Sequence, residues 1–230
     1  MSEATVPADA GAATYLLTVR GSTVPASTEE ARTLHNATAG HPAGVEAARS
    51  LGDLSHQVFT PCGDAQAGEL LFIDFWNSLS GMAQFFSDPQ VQAGASQLFS
   101  RRDTPLWAAA SGFGSFHLTV PSGKQVTGVG LLRATVSSLE KAADAFTSYA
   151  AVTINRSRRH GLVSHSVWTR VPGPGEPPAL EVLGVDMWMD AGQMNGYYDL
   201  GLGFDHLGPV FAAPPDTSVW QSAPGDWTEW

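Results

Sequence analysis

The chain has 230 residues, 43% hydrophobic and 15% charged, which is apolar enough for a packed globule and too apolar for a disordered chain. Twelve basic residues stand against 22 acidic ones, and a net charge of −10 argues against nucleic acid or an anionic membrane as the main partner, because phosphate binding needs clustered cations. No run of eighteen apolar residues occurs, so no membrane span is predicted, and the single cysteine, Cys62, excludes an intramolecular disulfide and a thiolate metal cage.

Residues 1–12 are small, polar and acidic, without the basic start and apolar stretch of a signal peptide, and read as a disordered tail. One thiol without a partner cysteine fits a reducing compartment, and the expected location is cytoplasmic. Residues 14–20 form a short apolar, β-branched run, predicted as a first strand. Residues 28–51 are Ala-rich behind Ser/Thr capping residues and predict a helix, broken or kinked at Gly40-His41-Pro42. Strands are predicted at 53–60 and 69–77, separated by the turn Pro61 to Gly68. A second helix begins near Ser80 and a fourth strand covers 105–110. Residues 111–127 read as a linker.

The order then returns. Strands are predicted at 128–136, 162–171, 180–189 and 218–222, with helices over 138–160 and from Ala191. Ser55-His56-Gln57-Val58-Phe59-Thr60 recurs as Ser164-His165-Ser166-Val167-Trp168-Thr169 at an offset of 109, and Asp74, Trp76 and Met82 recur as Asp186, Trp188 and Met194 at 112. Phe85-Phe86 becomes Tyr197-Tyr198 at that same offset. A period this long makes each unit a small domain, and the pattern reads as a tandem duplication. Each half is β-α-β-β-α-β, the ferredoxin-like order. The predicted fold class is α+β, with two such halves packed sheet to sheet as an intrachain barrel. The boundaries are 13–110 for the first half and 128–230 for the second, including an aromatic C-terminal tail.

Residues 72–89, which carry Asp74, Trp76, Met82 and Phe85-Phe86, resemble the third strand and second helix of dimeric α/β-barrel proteins, and more narrowly of antibiotic-biosynthesis-monooxygenase-like domains. Asp186 to Tyr198 resembles the same element less closely. The resemblance covers the architecture of both halves and implies the fold. It leaves the reaction open, because that superfamily includes cofactor-free oxygenases of polyketide-like phenols, haem proteins, lyases, isomerases and members without known activity. Because both halves lie in one chain, a homo-oligomer is not required to complete the barrel.

Strand parity selects the candidate site. His56 on the second strand and Asp74 on the third fall on faces that bring them side by side, as His165 and Asp186 do in the repeat. A carboxylate that holds an imidazole fixes its tautomer and raises its basicity, which makes a general base. The bland alternative is that each pair satisfies two half-buried polar groups. Trp76 and Trp188, on the same strand faces as the acids, offer flat apolar walls or indole donors for a substrate. The halves differ at His35 and Asn36 in the first and at Tyr197, Tyr198 and His206 in the second, and all five are candidate substrate-binding residues.

There is no His-x-x-x-His, Gly-x-Ser-x-Gly or Gly-rich phosphate loop, so no metal, nucleophile or nucleotide site is expected. Arg156, Arg158 and Arg159 read as a solvated helix end. The leading expectation is a small-molecule enzyme without an organic cofactor, acting on an aromatic or polyketide-like substrate and starting with proton abstraction by His56 or His165. Its chemistry would be that of a cofactor-independent monooxygenase, lyase or isomerase. The alternatives are a non-catalytic small-molecule-binding protein and, less favoured for want of an Arg-rich wall, a haem-binding protein.

Overall fold

Helix boundaries fall where the sequence supplies caps. In the computed structural model, which describes residues 14–63, 68–122, 124–200 and 207–230, Ser27 accepts the Glu30 N–H at the start of α1 (Thr28–Ala37). Pro42 occupies the first turn of α2 (Pro42–Ser50), so the break at Gly40-His41-Pro42 is where expected. Ser78 caps α3 (Leu79–Ser87) and Asp88 caps α4 (Pro89–Leu98). The single second helix expected near Ser80 is therefore two, because Asp88 precedes a proline and leaves the helical region.

Two compact units divide the chain, one running to Leu106 and including Ser222–Trp230, the other Trp107–Gln221. In the first, β1 (Tyr15–Thr23) lies between β3 (Glu69–Trp76) and β4 (Phe99–Asp103), and β3 also pairs β2 (Asp53–Pro61). All pairs are antiparallel, in the sheet order β4-β1-β3-β2. The fourth strand thus begins at Phe99, not at 105. Ala31 and Ala48 of the first two helices pack with Val58, Leu70, Trp76, Met82 and Leu98 in this unit's core.

The second unit has the same order. β7 (Gly128–Thr135) pairs β9 (Glu181–Trp188) and β10 (Asp216–Ser222), while β9 also pairs β8 (Leu162–Arg170). β5 (Leu106–Ala109) and β6 (Phe116–His117) add pairing to the other edge of β8. Residues 107–110 of the expected fourth strand and the expected linker therefore belong to this unit. Ser138 caps α5 (Leu139–Arg159), one unbroken helix where the first unit has two, and Asp190 caps α6 (Ala191–Tyr198). Gly52 and Gly161 precede the second strand of their units at φ of +104° and +95°, where a side chain would be strained.

The aromatic tail docks on the first unit rather than the second. His56 and Trp230 exchange backbone hydrogen bonds, Ala223 N–H reaches the Val58 carbonyl, and the Val58 N–H reaches the Glu229 carboxyl at 2.7 Å. The expected tail at 1–12 and His206 lie outside the described residues. Among the described residues no helix is long and apolar enough to cross a membrane.

Candidate active site

Both His–Asp pairs form. β2 and β3 put His56 directly opposite Asp74, and β8 and β9 put His165 opposite Asp186. In each case the second strand carries one extra residue just before the histidine, Leu54 or Val163, and the register shifts there. Such bulges re-aim neighbouring side chains. Nδ1 of His56 lies 2.5 Å from Asp74 Oδ1, and Nδ1 of His165 lies 2.6 Å from Asp186 Oδ1.

What surrounds the pairs differs. In the first unit His56 Nε2 meets His35 Nε2 at 3.0 Å, and His35 Nδ1 meets Asn36 Oδ1 at 3.0 Å. The Asn36 amide is oriented by the tail, since its Nδ2 donates to the Asp226 carbonyl and its Oδ1 also accepts the Thr228 N–H. Asn36 Oδ1 therefore requires a proton on His35 Nδ1, His35 Nε2 becomes an acceptor, and His56 must donate from Nε2. Burial holds His35 down to about 3, helped by His56. Burial also holds His56 down to about 4 and raises Asp74 well above the usual carboxylate range. The remaining proton thus sits on Asp74 and is donated to His56 Nδ1. Phe72 packs edge-on against both rings at 5.4 and 5.0 Å, Trp230 stacks on His56 at 4.7 Å, and Trp227 lies 5.2 Å from His35. Both nitrogens of both imidazoles are engaged.

In the second unit the His165 Nε2 atom is buried with no hydrogen-bond partner. His165 and Asp186 line a cavity of about 470 Å³ with Phe116, Phe146, Tyr149 and Ile154 among its apolar walls, and Thr153, Ser157, Thr217 and Ser218 among its polar ones. Asp186 Oδ2 accepts the Tyr198 hydroxyl at 2.9 Å, so the carboxylate is held by two donors. Burial pulls the His165 imidazole down, but the Asp186 carboxylate beside it outweighs burial and the net shift is upward. Burial, reinforced by the Asp186 charge, pushes the Tyr198 phenol well above its ordinary value, so it keeps the proton it donates. The arrangement is an imidazole whose Nδ1 is held by a carboxylate and whose Nε2 has no partner, on a residue that lines a cavity.

The space has a local cause. Gly184 stands opposite Val167 where the first unit has Phe72 opposite Val58, and Gly130 stands opposite Asp186 where the first unit has Leu17 opposite Asp74. Two large side chains of one unit are glycines in the other, and both glycines line the cavity.

Of the expected substrate-binding residues, Tyr197 and Tyr198 line the cavity. Trp188 is fully buried one layer behind them, 5.1 and 5.5 Å from their rings, and Trp76 is fully buried against Phe85 and Phe86. Neither indole is part of the cavity lining, because α3 covers Trp76 and α6 covers Trp188. His35 is consumed by the buried chain, and Asn36 borders an open surface groove with Val45, Glu46 and Arg49 that no His–Asp pair faces. Phe116 and Tyr149 were not among the expected substrate-binding residues. Phe116 lay in the supposed linker, whereas Gly184 was legible as the small counterpart of Phe72.

No family model matches the chain, and no curated protein sequence does. Solved structures do. They include an anthrone oxidase-like protein (TM-score 0.60, 12% identity, 94% of each chain covered) and a candidate monooxygenase from Fusobacterium nucleatum (0.64, 10%, 93% of this chain and 94% of that one). A haem-binding protein from Thermus thermophilus matches at 0.52 and 11% identity, over 93% and 92%. The chain has the α+β dimeric α/β-barrel fold that these proteins share. At such identities the likeness carries the fold and nothing of the chemistry.

Proposed function

We propose that the protein is a small-molecule enzyme whose second unit binds a planar, largely apolar substrate and starts its reaction by proton abstraction at His165. The observation that carries this reading is a histidine on the wall of a cavity, His165, whose buried Nε2 has no partner while its Nδ1 is held by Asp186. A buried nitrogen without a partner costs about 1–3 kcal/mol, which a substrate proton donor would recover. The aromatic wall suits a polycyclic phenol or ketone, and an anthrone is a suitable probe because its methylene carbon is acidic and its rings are flat. The first step moves that proton to Nε2, with the resulting imidazolium stabilised by Asp186. Oxygen addition, elimination or isomerisation could each follow. In the first unit the same pair has a structural part, and we read the shared order of the two units as a tandem repeat that has diverged.

The test is deuterium exchange at the methylene of a hydroxylated anthrone, followed by NMR in D2O without oxygen. The parent should accelerate exchange, with a rate that rises with pH through a midpoint above 6.5, because the base must be deprotonated and Asp186 raises its titration point. His165→Ala should abolish the acceleration while His56→Gln retains it. Equal exchange in parent and His165→Ala would end the assignment, leaving a binding protein without catalysis as the reading.

Haem is a poorer fit. His165 Nε2, backed by a carboxylate, resembles a proximal ligand. The described cavity lining, however, holds no Lys or Arg to neutralise two propionates and does hold Asp186. A Soret shift on adding haemin that is lost in His165→Ala would reverse this judgement.

A further inference from the structure

Two His–Asp pairs of identical register sit in different surroundings: beside Asp74 lies the buried Asp53, where the second unit has Leu162, and beside Asp186 lies the Tyr198 hydroxyl. At the corresponding place the first unit has Phe86, and there Asp74 has no phenol donor. The Tyr198 hydroxyl reaches Asp186 Oδ2 only because residue 130 is glycine, since a Cβ there would come within 2.3 Å of the hydroxyl oxygen. Leu17 in the first unit fills that approach.

We propose that Tyr198, admitted by Gly130, is the positioning residue that keeps Asp186 an acceptor on both oxygens and thereby fixes the His165 proton on Nδ1, leaving Nε2 for the cavity. An ionised carboxylate has no proton to give, so His165 must donate to it from Nδ1. Where the second oxygen lacks a donor, a buried acid is stabilised by taking up a proton, and the imidazole then accepts at Nδ1 and carries its own proton on Nε2, as His56 does. Among the described residues, the other titratable groups near His165 are Tyr197 from α6, Tyr149 from α5 and His117 from β6. Of these, His117 bonds the Ser164 hydroxyl through Nδ1 at 2.7 Å. None of them donates to Asp186 in the bonds described. The proposal deepens the site of the preceding section, but its main readout is independent of turnover.

The experiment uses full-length protein labelled with 15N-histidine, with imidazole tautomers read by long-range 15N–1H correlation across pH 6 to 9. In the parent, His165 above its titration midpoint should be a single Nδ1–H tautomer, and His56 a single Nε2–H tautomer throughout. Tyr198→Phe should mix the tautomers at His165, leave His56 unchanged, and slow anthrone exchange at least about tenfold, a charge-assisted hydrogen bond being worth that much. Gly130→Ala, which displaces the hydroxyl without removing it, should give the same His165 spectrum and serves if Tyr198→Phe does not fold. A single Nδ1–H tautomer with an unchanged titration in both variants overturns the proposal. Absence of exchange by the parent would overturn the catalytic reading alone, with the tautomer result still deciding this one.

Discussion

Removing each histidine in turn separates a structural pair from a poised one. His56 is 5% exposed and bonds Asp74 and His35, so His56→Ala strands two buried polar groups and opens a gap beneath Trp230. At 1–3 kcal/mol for each stranded group, plus lost packing, the expected cost is about 3–5 kcal/mol. His165 has one partnered nitrogen, already borders a cavity, and leaves Asp186 still bonded to Tyr198, so His165→Ala should cost about 1–2 kcal/mol. For a chain of this size 1 kcal/mol corresponds to roughly 2–4 °C, so the melting point should fall by roughly 6–20 °C for His56→Ala and 2–8 °C for His165→Ala. Urea titration of both variants at pH 7.5, monitored by far-UV circular dichroism and tryptophan fluorescence, gives the free energies. Equal losses, or a larger loss for His165→Ala, would refute the assignment of His56 to structure.

Two further perturbations address the cavity and the buried acids. A Cβ at Gly184 would make only ordinary contacts, 3.8 Å from Leu132 and Phe146, so Gly184→Leu should fold, project into the cavity and weaken anthrone binding at least tenfold by fluorescence titration; undiminished affinity would place the ligand elsewhere. Asp53 is buried beside Asp74, and burial first and Asp74 second raise it to about 9. A carboxyl whose folded pKa is raised contributes stability below its unfolded value near 3.8 that is lost as pH rises toward the folded one. Asp53→Asn removes this dependence, and its stability relative to the parent should grow between pH 5 and 8 by up to about 1.4 kcal/mol per pH unit. A pH-independent difference in melting point would show that Asp53 is not held protonated.

Much of the site was legible because strand parity is a local property. His56 and Asp74, or His165 and Asp186, had to share a face once the strands were recognised, and the observed registers put them directly opposite. Long-range packing was not legible in this way. Nothing local says that Trp227 and Trp230 return to His35 and His56, or that Phe116 completes the edge of β8 and lines the cavity. Trp76 and Trp188 were offered as pocket walls because parity fixes a face and not a depth. The helix break at Asp88-Pro89 was readable from the proline and passed over in favour of a longer helix.

The backbone does not explain the unpartnered nitrogen of His165. The first unit has the same register, the same bulge and the same His–Asp contact, and there the imidazole is satisfied on both sides by Asp74 and His35. A fully bonded solution was therefore accessible to this fold. In the second unit side-chain choice moves away from it, with no imidazole bonded to Nε2, Gly184 in the place of Phe72 and Gly130 opposite the acid. Each of these departures forfeits packing or hydrogen bonding, on the order of 1 kcal/mol or more apiece. All three bear on the one cavity that His165, Gly130 and Gly184 line. Relaxed structural constraint would scatter such losses over the unit, whereas the flat, apolar, proton-donating molecule proposed above would account for their convergence.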